Sequence, residues 1–354
     1  MSETPPKADL ATRLQKDFVL VAEGYLFELE RRGRLQAGTF VPEVALENPN
    51  ALKELHREFL DCGTDVIEAF TYYAHREKMR LIGKEGLLEP LNRAALSIAK
   101  EVAQEAKGEP PLVAGNLSNS NIYKPGDAQS EKMVRSMFEE MLIWSAEAEV
   151  DFVIAETFYH LGEAALALEM IKKYNLPAVV TFGLYAQGIL SDGFTVEQAC
   201  QRLEDMGADV VGMNCFRGPA TMLPHIAKIR EKVSCPVAAL PVPYRTTPSE
   251  PTFFHMHDHW ASCRLPNNMT FPTALDPFLL NRYETADFAQ KALDMGVKYI
   301  GLCCGCCPVH IRTMAEQLGR KPPASRYSPN MKKHFLFGDD PGLLFTREDL
   351  RGKA

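Results

Sequence analysis

Residues 195–215 read TVEQACQRLEDMGADVVGMNC. The opening stretch, up to Gly207, alternates apolar and charged positions in the way of an amphipathic helix, and a glycine is where a helix hands over to the next element. The remainder, DVVGMN (209–214), is nearly continuous apolar sequence, as a parallel strand covered on both faces should be. Similar runs occur at FVLVAE (18–23), DVIEAF (65–70), LVAGNL (112–117), DFVIAE (151–156), PAVVTF (177–182), CPVAAL (235–240) and KYIGLC (298–303). Between them lie helical patterns such as NPNALKELHREFLDCG (48–63), EKMVRSMFEEMLIWSAEAE (131–149) and LGEAALALEMIKKYN (161–175). Eight strand–helix units predict a (β/α)8 TIM barrel. A doubly wound sheet is the alternative, but no GxGxxG follows the first strand, so a nucleotide-binding fold has little support.

A chain of 354 residues can bury one large barrel core, and the expected organisation is a barrel over residues 1–320 with a C-terminal tail over 321–354. Net charge is −7, and Lys and Arg are dispersed. Neither nucleic acid nor an anionic membrane is an expected partner, which leaves small-molecule substrates. The N-terminal MSETPPKADLATRLQKD is polar, and no apolar run approaches the roughly 20 residues that span a bilayer. Nine cysteines, four of them in CCGCC (303–307), suit reduced thiols and metal binding better than a disulfide framework. A cytoplasmic protein is expected.

Barrels of this kind work at the C-terminal ends of their strands, and the unusual polar residues fall there. Glu23 ends the first expected strand, Phe70 and Thr71 the second, and Asn116 and Asn119 accompany the third. Glu156 ends the fourth, Asn214 and Cys215 the sixth, and Cys303 and Cys304 the eighth. Three thiols with no fixed fourth partner form the ligand set of a catalytic zinc, because a structural zinc fills all four positions with protein. The expected zinc ligands are Cys215, Cys303 and Cys304.

GADVVGMNC with the following FRGP (207–219), and YIGLCCGCCPVHIRTMAEQLG (299–319), resemble the two zinc-ligand motifs of the homocysteine S-methyltransferases, particularly the betaine–homocysteine branch. The similarity extends through residues 24–78, through DFVIAETF (151–158), and to PPAS (322–325). The resemblance implies a zinc-dependent (β/α)8 enzyme that methylates homocysteine to methionine. Such chemistry needs the metal: a free thiol with a pKa of about 8.5 is mostly protonated at neutral pH, and coordination removes that proton. The donor must release a neutral leaving group, which means a quaternary ammonium or a sulfonium, and aromatic faces recognise such cations. Betaine is the expected donor, with S-methylmethionine or a sulfonium analogue of betaine as the alternative.

Carried over residue by residue, the resemblance implies that Glu156 holds the amino group of homocysteine, and Phe40 and Tyr73 stand around the donor. Asn214, beside the first zinc ligand, is a further expected substrate-binding residue. The family opens with Asp-Gly-Gly after its first strand, where this chain reads Ala22-Glu23-Gly24, so Glu23 takes that acidic role from one position along. The betaine enzymes carry tyrosine after the strand-four acid, and this chain has Thr157. The sequence is expected to lack the long helical C-terminal extension that the vertebrate betaine enzyme uses in assembly, and a homo-oligomer is a candidate state.

Other features receive plainer readings. Cys62, Cys200, Cys235 and Cys263 read as small buried hydrophobes. Cys306 and Cys307 read as non-ligands, and His310 as structural. FFHMHDHW (253–260) fits no standard metal spacing and reads as a loop or lid between strands seven and eight. Arg245 is a candidate partner for a substrate carboxylate. The rival of another class is a non-enzymatic thiol-rich protein that stores metal or senses redox state.

Overall fold

The computed structural model describes residues 7–39, 41–258, 269–334 and 336–343. Eight parallel strands form the sheet: β1 Val19–Ala22, β2 Val66–Glu68, β3 Leu112–Ser118, β4 Phe152–Phe158, β5 Ala178–Phe182, β6 Val210–Asn214, β7 Val237–Leu240 and β8 Tyr299–Leu302. The order β1-β8-β7-β6-β5-β4-β3-β2 runs once around a nearly closed (β/α)8 barrel, as the periodicity predicts. Each strand lies within the expected run except that β3 and β4 continue one and two residues further, which sets Ser118 opposite Glu156.

Closure between β1 and β2 depends on Asp65. Its N–H donates to the Leu20 carbonyl at 2.8 Å, and its carboxylate accepts the Leu20 N–H at 2.6 Å. Arg320 then binds the same carboxylate at 2.6 Å and the Phe18 carbonyl at 2.7 Å. The same device recurs at the start of β4 and β6. Asp151 accepts the Val113 N–H at 2.6 Å, and Asp209 accepts the Ala178 N–H at 2.8 Å. An aspartate ahead of an apolar run therefore satisfies a backbone donor that the staggered ladder leaves open at the base of the barrel.

Amphipathic helices cover the outside. Pro49–Asp61 starts at Asn48, whose side chain accepts the Ala51 N–H, and it buries Leu52, Leu55 and Phe59 against the sheet. Truncating one such leucine to alanine costs about 2–5 kcal/mol. Helix Val196–Asp205 begins with a reciprocal Thr195–Gln198 capping box and buries Val196, Ala199, Cys200 and Leu203. Gly207 then takes a φ of +90°, so the chain reverses directly into β6. All strand ends meet at one mouth, partly roofed by the long connection after β7, whose Phe253, Phe254 and Phe271 stack edge-on at 4.6–4.8 Å. Among the described residues no helix is long and apolar enough to cross a membrane.

Candidate active site

Cys215 follows β6 on a backbone that no ordinary strand end adopts. Cys215 and Phe216 take φ of +56° and +58°, and the Arg217 N–H reaches back to the Cys215 carbonyl at 2.6 Å. Left-handed φ at non-glycine residues costs about 1–3 kcal/mol each and persists where surrounding structure enforces it. Here Arg217 is pinned by the carbonyls of Leu184 and Tyr185 at 3.0 and 2.5 Å. The pair Cys303 and Cys304 leaves β8 on an equally tight turn. Gly305 has φ +95°, and a Cβ there would lie 2.3 Å from the Tyr244 hydroxyl. Only glycine fits between Cys304 and Cys306.

These two turns bring the sulfurs of Cys215, Cys303 and Cys304 within 4.8 Å of one another. Thiolates each about 2.3 Å from a tetrahedral zinc stand roughly 3.8 Å apart. The Cys303 and Cys304 sulfurs are 3.9 Å apart, close to that spacing, and the Cys215 sulfur lies within 4.8 Å of both. Burial opposes ionisation of Cys215, yet hydrogen bonds from Cys303 and Cys304 prevail and bring its thiol down to about 5. Cys303 is pushed well up by burial, and Cys304 by its bonds to the other two thiols. Cys306 and Cys307 do not join this group. Cys307 caps the last barrel helix, Pro308–Gln317, opposite His310, whose other ring nitrogen lies 3.2 Å from the Leu280 carbonyl.

Directly beside the sulfurs stand three buried carboxylates, Glu23, Glu68 and Glu156. One oxygen each from Glu23 and Glu156 lies within 4.8 Å of the other and of the Cys303 sulfur. Asn116 Nδ2 donates to Glu68 at 2.5 Å and to Glu156 at 2.7 Å, while Asn214 Nδ2 donates to the second oxygen of Glu156 at 2.5 Å. Both oxygens of Glu23 and one of Glu68 have no hydrogen-bond partner among the described residues. All three carboxyls are held well above the usual carboxylate range: burial is the main cause, followed by Glu68 acting on Glu23, Glu156 on Glu68, and Glu23 on Glu156. Glu23, Glu68, Glu156 and the three thiols line one narrow cleft together with Tyr25, Phe70, Tyr72 and Thr157.

Aromatic rings continue outward from the thiols. Tyr72 and Tyr73 lie 4.4 Å apart, Tyr185 and Phe216 4.8 Å, and Phe216 and Phe254 4.8 Å. Burial, and then the charge of Cys215, push the Tyr185 phenol up. The geometry therefore joins a site for a soft metal, an acidic seat for a cationic group, and aromatic faces.

The sequence pattern of the homocysteine S-methyltransferase family matches residues 11–318. The chain belongs to that family. It is 35% identical to betaine–homocysteine S-methyltransferase 1 of Xenopus tropicalis, over 100% of this chain and 85% of the relative. It is also 34% identical to the S-methylmethionine–homocysteine S-methyltransferase BHMT2 of Rattus norvegicus, over 98% of this chain and 91% of the relative. The barrel superposes on the metallated homocysteine methyltransferase MmuM of Escherichia coli with a TM-score of 0.66 at 19% identity, covering 85% of this chain and 96% of that one. This homocysteine S-methyltransferase is thus an enzyme, and the reading as a metal-storage or redox-sensing protein is set aside.

Within this homocysteine S-methyltransferase, Glu23, Glu156, Asn214 and the three expected cysteines converge as anticipated. Tyr73 lies at the mouth with φ +61°, and Phe40 falls outside the described residues. Arg245 turns away from the site: Glu284 binds it in bidentate fashion at 2.6 and 2.7 Å on the outer surface. In the histidine-rich stretch, His255 pairs with Thr252 and His257 with Glu250, while 259–260 fall outside the described residues. Sequence reasoning missed Glu68, although a charged residue inside the apolar run DVIEAF was the available signal.

Proposed function

We propose that this enzyme transfers a methyl group from betaine to homocysteine, giving methionine and dimethylglycine, with zinc held by Cys215, Cys303 and Cys304. The observation that carries this reading is adjacency: a three-thiol metal site lies within 4.8 Å of buried carboxylates. Homocysteine has a thiol and an ammonium three carbons apart, so one molecule engages both. Zinc at the three thiolates supplies deprotonation of the substrate thiol at neutral pH.

The chain's own residues orient the reactants. Glu156 and Glu23 accept the substrate ammonium, and Asn214 holds Glu156 in place while its own Oδ1 is fixed by the Thr157 N–H at 2.9 Å. Tyr73 offers its ring to the trimethylammonium group. The sulfur attacks the methyl carbon in line: the S–C bond forms, the C–N bond breaks, and the electron pair leaves with the amine nitrogen. Burial of the carboxylates and thiols keeps water from competing as nucleophile. Free thiols throughout the described residues suit a reducing, cytoplasmic setting.

A sulfonium donor is the second reading, favoured by Thr157 in the position where the betaine enzymes carry tyrosine. A donor screen separates the two. Zinc-loaded protein receives homocysteine with betaine, a sulfonium analogue of betaine, S-methylmethionine or S-adenosylmethionine, and methionine is followed. Methionine from betaine, lost in Cys215→Ala, is the expected result; turnover with a sulfonium alone would replace betaine as donor, and none with any donor would sink the proposal.

A further inference from the structure

The proposed reaction uses Glu156 and Glu23, and leaves Glu68 without a role. Glu68 is nevertheless 4% exposed, lines the same cleft as the three thiols, and keeps one oxygen without a partner among the described residues. Its other oxygen shares the Asn116 amide with Glu156, so one Nδ2 fixes the spacing of two carboxylates through its two hydrogens. Glu23 is 7% exposed and presents two further unpartnered oxygens. Among the described residues, no lysine, arginine or histidine lines this cleft. A buried carboxylate without a cation or full hydrogen bonding is costly, and three side by side repel one another.

We infer that Glu68 directly binds the ammonium of the thiol substrate, so that Glu23, Glu68 and Glu156 form a three-carboxylate seat selective for a primary amine. The inference rests on homocysteine being the substrate. A primary ammonium has three N–H donors, and the seat offers one carboxylate to each. The seat does not suit a hard metal ion. Such ions need carbonyl or carboxylate oxygens all round, whereas Asn214 turns its NH2 toward the acids, an orientation dictated by its Oδ1 accepting the Thr157 N–H. The consequence is a requirement for a free α-amino group in the thiol substrate.

The test is calorimetric binding to the zinc-loaded full chain of two thiols that share a carbon skeleton, homocysteine and its des-amino analogue 4-mercaptobutanoate. Glu68→Gln keeps an acceptor for Asn116 and removes only the charge. It should weaken homocysteine by roughly tenfold or more, while 4-mercaptobutanoate stays within about twofold. In turnover, KM for homocysteine should rise by a similar factor, with kcat at saturation little changed. Glu68→Asp, which retains the charge but withdraws it by one methylene, should show the same selectivity in smaller degree. Unchanged homocysteine affinity in Glu68→Gln overturns the inference. Equal weakening of both thiols also overturns it, since that marks a structural role. Failure of the wild-type protein to bind either thiol would instead defeat the proposed function.

Discussion

Asn214 Nδ2 lies 2.5 Å from Glu156 Oε2, and the next residue in the chain is Cys215. A single strand end thus orients the carboxylate expected to grip the substrate and launches the thiol expected to hold the metal. The Asn214 side chain also accepts from the Thr157 N–H and the Thr181 hydroxyl, each at 2.9 Å.

Asn214→Ala removes all of these contacts and leaves a buried N–H and a buried carboxylate oxygen short of partners. A loss of about 1–3 kcal/mol in unfolding free energy is expected, measured by urea denaturation. KM for homocysteine should rise in parallel, because Glu156 is then free to rotate away from the cleft. Unaltered stability together with unaltered KM would contradict the linkage between the two residues.

Metal content discriminates among the cysteines. Purified protein is expected to carry about one zinc per chain, and Cys215→Ala, Cys303→Ala and Cys304→Ala should each abolish both metal retention and turnover. Cys306→Ser and Cys200→Ala lie outside the thiol group and should keep the zinc. Elemental analysis of the five variants decides the matter.

His56 predicts an acid-sensitive term in stability. It is 1% exposed and packs edge-on against Tyr25 at 4.9 Å, with neither ring nitrogen partnered among the described residues. Burial lowers its pKa from 6.5 to about 3. The unfolded chain therefore takes up a proton below pH 6.5 that the folded chain refuses. The stability is present above that value and declines as pH falls toward about 3, by up to about 1.4 kcal/mol per pH unit. His56→Phe should flatten this part of the profile, seen as a smaller difference in urea midpoint between pH 7 and pH 4.5.

Arg320 holds the β1–β2 seam through Asp65, and the two side chains are partly exposed. Arg320→Ala leaves the Asp65 carboxylate with backbone donors alone, and an expected loss of about 1–3 kcal/mol should appear as a lower thermal midpoint. Since the seam lies at the base of the barrel, kcat measured well below that midpoint should be unaffected. A variant that lost turnover at full folding would show coupling between base and mouth.

Much of this molecule is legible along the chain because its signals are periodic. Runs such as DVVGMN and DFVIAE are apolar at successive positions because both faces of a barrel strand are covered, and that leaves the strand ends as the natural place for polar groups. Glu156, Asn214 and the cysteines could therefore be located before their neighbours were known. Glu68 was not, since it sits within a strand run and its inward direction depends on pleat and tilt, which no linear pattern records. Arg245 was misjudged for a related reason: it stands just past β7, but Glu284 at the first turn of helix Arg282–Asp294 captures it on the outside.

By itself, the sequence determined the eightfold alternation, the clustered cysteines and the family, all of which depend on residue order and local spacing. The tertiary structure alone decided which acids share a cleft. Glu23, Glu68 and Glu156 are separated by 45 and 88 positions, and only barrel closure, sealed at Asp65 and Leu20, brings their carboxylates around the same buried space. Carboxyls so placed are pushed well above their ordinary range by burial beside one another, a property of proximity in low dielectric that no single residue carries along the chain.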